Sequence, residues 1–483
     1  MQSRFGRRSF LTSAAGVAGA SFWADQTIEA YQQNIQTASK PSELRITDVR
    51  MAMARVGGGL IRLDTNQGIY GIGENRDGAS RNYVMELKRL VVGENPCNVD
   101  KVFRKIKQFG FHARQGGGVS GMEMALWDLA GKAYNVPVFQ MLGGKYRDRI
   151  RVYCDTPVSD DPSVFAERVK RRKEDGFTWF KADVGTPLLA SIPGTMTYLA
   201  GADIGVFIRP QGQAAGGQAV AGGGRGAGGG GGRGPGGAPP TGPRNLPVEH
   251  MFTGLELTAK GIDALSSYLA RVREAIGWEI PLSTDHFGHF GINSAIRLGK
   301  AFEKFNLAWM EDIIPWENTD LLKKITDAID VPTCTGEDIF LKEDFIKLAQ
   351  NHAVDILQPD IATSGGILET HKIGDALQEH GVPMAMHMAN SPVSAFASVH
   401  VAAATENFLV LENHSVDIPT WDDIVDGVEK PIINKGFITV PSGPGLGFKL
   451  NEEALKKALR EPGYFEPTPQ WDSKERINDR LWS

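Results

Sequence analysis

The sequence has few cysteines for its length. Cys97, Cys154 and Cys334 are the three cysteines among 483 residues, and they lie far apart with no CxxC spacing. A disulfide framework needs several cysteines in a short chain, and a cysteine zinc site needs closely spaced pairs. Both arrangements are therefore excluded, and we expect buried free thiols.

The sequence also lacks an excess of positive charge and long apolar runs. Its formal net charge is −5 and its isoelectric point is about 6.1, which argues against a nucleic-acid partner. A membrane-spanning helix needs about 20 apolar residues in succession, and no run in the chain approaches that length. We therefore expect a soluble globular protein with no membrane association after processing.

The first residues are typical of an export signal. Arg7 and Arg8 precede a short run of small and apolar residues in GRRSFLTSAAGVAGA. A twin-arginine pair in this position indicates export of an already folded protein, with cleavage after Ala20 or Ala24. Residues 1–43 are thus interpreted as signal and linker, and the protein as periplasmic. A disordered basic tail is the alternative interpretation.

The chain is too long for one ordinary core, so a large domain and a smaller one are expected. Residues 214–243 are low in complexity, rich in glycine, and have almost nothing to bury. This composition predicts a disordered surface insertion at about 211–245. The segment lacks the strand and helix that flank a phosphate-binding loop.

Residues 44–148 show strand patterns followed by helical ones. ITDVRMAMARVGGGLIRLDTNQGIYGIGEN alternates like a meander, with TNQG as a hairpin turn. VSGMEMALWDLAGKAYNV has apolar residues at helical spacing, and Pro137 ends the pattern. Strands followed by helices predict a small α+β domain.

From residue 149, short apolar runs alternate with amphipathic stretches. The eight runs are RVYCD, TWFKADV, EIPLSTD, LAWMED, VPTCTGED, VDILQPD, VPMAMH and NFLVLEN. Eight such repeats over roughly 250 residues predict a TIM-type barrel. A doubly wound open sheet is the alternative on strand count alone.

Ionisable residues stand at the ends of seven of these runs, where a barrel carries its chemistry. A single one would more often be a helix N-cap, and caps explain about two or three of them. They do not explain the whole set. The set is Lys181, Asp183, Asp285, Glu311, Glu337, Asp360, His387 and Glu412.

Three successive runs end in carboxylates, Asp285, Glu311 and Glu337. Carboxylate oxygens are the ligands that hard cations such as Mg²⁺ and Mn²⁺ prefer. Because His286 and His289 lie beside Asp285, a zinc site is the alternative for that stretch, although zinc favours His and Cys donors. We therefore predict Mg²⁺ as the cofactor, with Mn²⁺ as the other candidate.

His387 and Asp360 end neighbouring runs. An aspartate beside a histidine fixes the tautomer of the imidazole and raises its basicity, so the pair is predicted to move protons. Glu412, at the last run, can interact with the oxyanion that then develops. A structural role for His387 is the alternative.

Five motifs resemble the mandelate racemase and muconate lactonizing enzyme branch of the enolase superfamily. They are GVSGMEMALWDLAGKAYNVPVFQMLGG, LAWMEDIIPWEN, TGED, QPDIATSGGI and PSGPGLGF. The resemblance spans residues 44–450 except for the glycine-rich insertion. It implies an α/β fold, a modified TIM barrel (β/α)₇β over residues 149–415, with an N-terminal α+β capping domain. Residues 416–483 would return to the cap.

The resemblance also implies roles for individual residues. Glu412 matches a glutamate that hydrogen-bonds the substrate carboxylate. Five further residues match the three Mg²⁺ ligands and the proton-abstracting pair, namely Asp285, Glu311 and Glu337, and then Asp360 and His387. Members of the family share one step, the removal of the proton α to a carboxylate of a small molecule. A small-molecule carboxylate substrate is therefore the expected partner of this protein.

The FKADVG motif helps to choose between reactions. Lys181 is retained as a candidate catalytic residue, whereas Asp183, a candidate substrate contact, stands where racemases of this group carry a second lysine. The resemblance therefore implies a hydro-lyase that dehydrates a sugar acid to a 2-keto-3-deoxy acid, as galactonate and mannonate dehydratases do. Those enzymes usually carry a histidine where this chain has Phe287, so His286 or His289 is predicted as the acid.

Substrate selection is expected to fall to the cap loops, with Arg76 and Arg81 as candidate contacts and solvated loop charges as the alternative. A homo-oligomer is expected from the resemblance. The alternative enzyme is an isomerase, a racemase or epimerase of a hydroxy acid that uses His286 or His289 as its second base. The non-enzymatic alternative is a binding or regulatory protein that kept the barrel and lost turnover.

Overall fold

A computed structural model describes most of the chain. The described ranges are residues 40–76, 79–112, 114–189, 192–198, 255–285 and 291–472. The predicted export signal, the glycine-rich insertion, His286 and His289 lie outside them. Among the helices that are described, none combines the length and apolar composition needed to cross a bilayer.

The described ranges contain eighteen strands. They are β1 (Ile46–Ala54), β2 (Gly59–Thr65), β3 (Tyr70–Glu74), β4 (Arg149–Asp155), β5 (Phe180–Ala182), β6 (Met196–Tyr198), β7 (Leu255–Leu257), β8 (Leu282–Thr284), β9 (Trp309–Glu311), β10 (Thr333–Thr335), β11 (Ile356–Leu357), β12 (Met384–Met386), β13 (Phe408–Asn413), β14 (Val425–Asp426), β15 (Ile433–Asn434), β16 (Phe437–Thr439), β17 (Lys449–Leu450) and β18 (Leu459–Tyr464).

The same ranges contain fourteen α-helices and several short 3₁₀ turns. The helices are α1 (Arg81–Glu86), α2 (Lys88–Val91), α3 (Val99–Ile106), α4 (Val119–Tyr134), α5 (Val138–Met141), α6 (Pro162–Glu174), α7 (Thr186–Leu189), α8 (Ala259–Ile276), α9 (Ile292–Phe302), α10 (Thr319–Thr326), α11 (Lys342–Gln350), α12 (Ile367–Glu379), α13 (Pro392–Ala404) and α14 (Glu452–Lys457).

An antiparallel sheet in the order β18-β1-β2-β3 forms the cap, with α4 packed on it. The predicted TNQG turn joins β2 to β3, with Gly68 at φ 81°, a left-handed conformation that glycine adopts without strain. Helix α4 lies very close to β3, because a Cβ added at Gly73 would lie 1.9 Å from the carbonyl oxygen of Gly121. The strand β18 brings the C-terminal part of the chain back to β1.

Eight parallel strands form a closed barrel in the order β4-β5-β8-β9-β10-β11-β12-β13, and β13 pairs with β4 to complete it. The eight predicted strand runs are therefore confirmed, and the alternative of an open sheet is wrong. The last barrel strand, β13, leads into a 3₁₀ turn at Asp422–Ile424 instead of an α-helix, which agrees with the (β/α)₇β architecture. The positions of the domain boundaries stay a prediction.

Two buried carboxylates of the cap bind the N-terminal ends of barrel helices. Glu74 accepts hydrogen bonds from the backbone and hydroxyl of Ser391, at 3.1 and 2.8 Å, and from the backbone of Ser394 at the start of α13. Glu123, on α4, accepts from the backbone amides of Ile367 and Leu368, at 2.6 and 3.0 Å, at the start of α12. Helix N-termini stabilise negative charge, although burial raises the pKa of Glu123 to about 8.

Arg273 connects the C-terminal end of α8 to the barrel. Its guanidinium is buried and donates to the backbone carbonyls of Phe305, Ile280 and Asn306 at 2.9, 2.7 and 2.8 Å. Those carbonyls lie shortly before β8 and β9, the strands whose ends carry Asp285 and Glu311. The contact therefore supports the strands that present the carboxylates.

Replacing Arg273 with methionine should lower the free energy of unfolding by about 2 kcal/mol or more, since each buried carbonyl left without a partner costs about 1–3 kcal/mol. Urea unfolding followed by circular dichroism measures the change. Arg271→Met, an exposed position on the same helix, is the matched control and should change stability little. Equal effects of the two substitutions would contradict this role of Arg273.

Candidate active site

The residues singled out at the strand ends converge at the carboxyl end of the barrel. Each lies within a barrel strand or within three residues of its end, and parallel strands present their carboxyl ends to one face. All six of the following are buried or nearly so, and they come from β5, β8, β9, β11, β12 and β13 in turn: Lys181, Asp285, Glu311, Asp360, His387 and Glu412.

Lys181 lies at the centre of this group. Its Nζ is 2.9 Å from Asp285 Oδ2, 3.3 Å from Glu311 Oε1 and 2.6 Å from Glu412 Oε1. Burial lowers the pKa of Lys181, but the three carboxylates more than offset this and raise the pKa well above its usual value. Lys181 therefore holds three strand ends together through its contacts with these carboxylates.

His387 and Asp360 form the expected pair. The imidazole Nδ1 is 2.6 Å from Asp360 Oδ2, and Asp360 Oδ1 accepts a hydrogen bond from the backbone of Ala362 at 2.7 Å. An isolated β-bridge also joins Asp360 to His387, so the backbone itself sets their spacing. The carboxylate can accept the Nδ1 proton, which leaves Nε2 as the atom that exchanges protons.

Glu337 lies against the other nitrogen of the same imidazole. Its Oε2 is 2.7 Å from His387 Nε2. Burial alone would raise the pKa of Glu337, but the charges of His387 and Arg76 hold it well below its usual range. For His387, burial lowers the pKa, and Glu337 is the largest of the influences that raise it well above its usual value. Glu337 therefore links the predicted metal ligands to the proton-transfer pair.

The two arginines predicted as cap contacts occupy different environments. Arg76 is buried and donates from Nη1 to Asp360, lies 2.8 Å from His387 Nδ1 through the same nitrogen, and is 3.7 Å from Glu337 through Nη2. Arg81 begins α1 and is partly exposed. These contacts join Arg76 to the site. Among the described residues, none of the contacts above joins Arg81 to it.

Sequence reasoning missed two residues of the site, Asp155 and His414. His414 Nε2 is 2.8 Å from Glu412 Oε1, and its Nδ1 is 3.2 Å from Asp155 Oδ2. Signals for both were present, because Asp155 is the last residue of the first strand run and His414 follows Glu412 by two residues. Asp183 is half-buried nearby, and its charge contributes to raising the pKa of Asp155 to about 6, after burial as the main cause.

A further layer of side chains lies beneath Glu412. Gln358 donates to Glu412 Oε2 at 2.9 Å and to the hydroxyl of Tyr153 at 2.6 Å. Trp309 donates from its indole nitrogen to Glu311 Oε2 at 3.0 Å. These hydrogen bonds fix the carboxylates of the site in place from below.

The donor set at Asp285, Glu311 and Glu337 fits a hard divalent cation. Burial and the charge of Asp285 raise the pKa of Glu311 well above its usual value, so the site has more negative charge than Lys181 offsets. Asp312, the next residue, has its pKa raised well above its usual value by burial and by Glu337. Oxygen donors with excess negative charge are what Mg²⁺ and Mn²⁺ prefer.

A second group of potential ligands has a different character. Within the described ranges, His387, Glu412 and His414 form the group whose ligand atoms lie within 4.8 Å of one another. Both imidazoles have pKa values raised by neighbouring carboxylates despite burial. This group therefore offers two imidazoles and a carboxylate that can exchange protons or contact an ion.

Two family models match the sequence. The model for the mandelate racemase / muconate lactonizing enzyme N-terminal domain matches residues 27–143. The model described as enolase C-terminal domain-like matches residues 244–454. The two matches correspond to the cap and to most of the barrel.

Named relatives and solved structures agree with these models. A D-xylonate dehydratase from Haloferax volcanii is 31% identical over 87% of this chain and 90% of its own. A D-gluconate/D-galactonate dehydratase from Picrophilus torridus is 26% identical over 77% of this chain and 80% of its own. The crystal structure of a mandelate racemase/muconate lactonizing enzyme-like protein from Rubrobacter xylanophilus superposes with a TM-score of 0.69 at 29% identity, covering 87% and 99% of the two chains.

Addition of Mg²⁺ to chelator-treated protein should raise the thermal unfolding midpoint, because an ion that binds the folded state alone stabilises it by about 2.7 kcal/mol at a concentration 100 times its Kd. Glu311→Gln should abolish most of the shift. Differential scanning calorimetry measures both midpoints. Glu317→Gln, at an exposed position six residues further on, is the control, and equal Mg²⁺ shifts in the two variants would place the ion elsewhere.

Proposed function

The chain belongs to the mandelate racemase and muconate lactonizing enzyme branch of the enolase superfamily, and on that premise we propose that it dehydrates a sugar acid. It is an enzyme, and its named relatives are hydro-lyases. The observation that carries the proposal is the His387–Asp360 pair at the end of the barrel, 2.7 Å from Glu337 and beside the buried carboxylates of Asp285 and Glu311. The proposed product is a 2-keto-3-deoxy acid.

The proposed division of labour follows from the contacts of each group. His387 removes the proton α to the substrate carboxylate through Nε2, the nitrogen that faces Glu337 at 2.7 Å, since Asp360 and Arg76 occupy the side of Nδ1. Lys181 holds Asp285, Glu311 and Glu412 in position and offsets part of their negative charge. Asp285, Glu311 and Glu337 would hold the divalent cation, proposed as Mg²⁺, which when bound stabilises the enediolate charge on the substrate.

Dehydration is favoured over racemisation by the arrangement of proton-transfer groups. A two-base racemase needs groups on opposite faces of the α-carbon. Racemases of this group carry a lysine two residues after the one that matches Lys181, and this chain has Asp183 there. His414 lies beside His387, with ring centroids 5.4 Å apart, and not across a substrate from it. This placement suits loss of a proton and a hydroxyl from neighbouring carbons on one side.

Purified protein with Mg²⁺ should form a 2-keto acid from at least one aldonic acid, with D-xylonate, D-gluconate and D-galactonate tested first because relatives are named for them. The keto acid is measured as its semicarbazone. His387→Asn should reduce turnover about 10²-fold or more, the usual contribution of a general base. His352→Asn, at an exposed residue away from the site, is the control.

An epimerase would give a different set of results. If no acid in the panel yields a keto acid, and one enantiomer of a hydroxy acid is inverted in D₂O with deuterium gained at the α-carbon, the enzyme is an epimerase. Retention of full turnover by His387→Asn would show that another residue removes the proton.

We further propose that the protein is exported and acts in the periplasm. The support is the twin-arginine pair before an apolar run, together with the start of the N-terminal family match at residue 27, after the proposed cleavage points. Replacing Arg7 and Arg8 with lysine should leave the unprocessed chain in the cytoplasm. Cell fractionation and mass spectrometry of the mature N-terminus measure this, and normal export of the double variant would contradict it.

A further inference from the structure

We propose that His414 is the general acid that protonates the departing hydroxyl group, a role that rests on the proposed dehydration. Elimination of water needs one group to accept the α-proton and another to donate a proton to the leaving oxygen. His387 has the first task. The second task falls to a residue that can reach the same side of the substrate, carries a proton and exchanges it with solvent.

His414 has the position that this task requires. It lies at the join between β13 and β4, where Asn413 pairs with Cys154, so its partner Asp155 comes from the neighbouring strand. The Nδ1–Oδ2 distance of 3.2 Å to Asp155 makes a second histidine–aspartate pair beside the first. Asp155 at Nδ1 and Glu412 at Nε2, 2.8 Å away, together hold the imidazole in one orientation. The proton on Nε2 is the one that would be passed to the leaving oxygen.

The other proton carriers among the described side chains of the site are less suitable. Lys181 is 1% exposed and bound to three carboxylates, and Glu412 is completely buried. The side chain of His414 is 25% exposed. A proton lost from His414 to the product can therefore be replaced from solvent, whereas one lost from Lys181 would leave three carboxylates without their cation.

The spacing of the two imidazoles fixes the geometry of the reaction. The rings of His387 and His414 have centroids 5.4 Å apart and are tilted by 57°. A carbon chain placed between two rings would need about 7–8 Å, because non-bonded carbon atoms rest about 3.5–4.0 Å apart. Both histidines therefore contact a substrate from the same side, which predicts syn elimination.

The step balances with these two residues. His387 Nε2 takes the α-proton, and the electron pair of that C–H bond becomes the new C=C bond. The bond from the β-carbon to oxygen breaks, its electrons stay on the oxygen, and the proton of His414 Nε2 completes a water molecule. The enol then gains a proton at the β-carbon as its hydroxyl loses one, which gives the 2-keto-3-deoxy acid. His387 releases the α-proton, and solvent reprotonates His414.

The charged groups around His414 favour its protonated form. Burial lowers its pKa, but Asp155 on β4 and Glu412 on β13 more than offset that and raise the pKa above the usual value. Lys181 on β5 acts in the opposite direction, and His387 lies against the ring from the side of β12. An acid catalyst must hold its proton at working pH, and the two carboxylates supply that condition.

The test uses the full-length enzyme with Mg²⁺, a sugar acid that it dehydrates, and the 3-deoxy-3-fluoro analogue of that acid. Fluoride leaves without being protonated, so the analogue bypasses the acid. His414→Asn should lose about 10²-fold or more in turnover of the sugar acid, while it keeps fluoride release and α-proton exchange with D₂O within a few-fold of wild type. His387→Asn should lose all three, and His352→Asn should keep all three.

A second variant addresses the pair. Asp155→Asn should move the alkaline limb of the turnover–pH profile to lower pH, because loss of the Asp155 charge lowers the pKa of His414 and the acid loses its proton earlier. Stereospecific deuterium incorporation at the β-carbon, read by NMR, gives the side from which the product is protonated. Protonation on the side from which the hydroxyl left places a proton donor on that side of the β-carbon.

Three results would overturn the role of His414. Parallel loss of dehydration, fluoride release and exchange in His414→Asn would show that the residue supports the fold or binds substrate. Full dehydration by that variant, with selective loss in His286→Asn or His289→Asn, would transfer the role to those residues. Failure of the wild-type enzyme to dehydrate any sugar acid would reject the proposed function itself, which is distinct from either result with an active wild type.

Discussion

The balance of charge at the carboxyl end of the barrel is the constraint on which the site depends. Several buried carboxylates converge there, and they would repel one another and shed their charge in a low-dielectric interior. Lys181 prevents this by binding Asp285, Glu311 and Glu412 together. The raised pKa of Glu311 shows that one lysine does not complete the balance, and a divalent cation would supply what is missing.

The cap contributes to the same balance from the other side of the site. Arg76 reaches from the loop after β3 into the barrel and pairs with Asp360, so the proton-abstracting pair is built from both parts of the chain. Glu74 and Glu123 hold the first turns of α13 and α12, the helices that follow the strands of His387 and Asp360. The contacts that hold the cap against the barrel therefore also align the His387–Asp360 pair.

The two histidine–aspartate pairs differ in their surroundings and hence in their chemistry. His387 is almost wholly buried and lies among Asp360, Glu337 and Arg76. His414 is partly exposed and lies where β13 pairs with β4. A buried group keeps a proton away from solvent and can return it to the substrate. Solvent can reprotonate a partly exposed group after each turnover. A proton donor needs this exchange with solvent.

The sequence by itself determined the barrel and most of the strand-end chemistry. Strand periodicity and an ionisable residue after each strand depend on local order along the chain, so Asp285, Glu311 and His387 were found from their spacing alone. The tertiary structure alone decided that Arg76 enters the site while Arg81 stays outside it, since a cap loop meets the barrel only when the chain folds. It also decided the pairing of His414 with Asp155, because closure of the barrel joins the first strand to the last, and no local pattern encodes a contact between residues 259 positions apart.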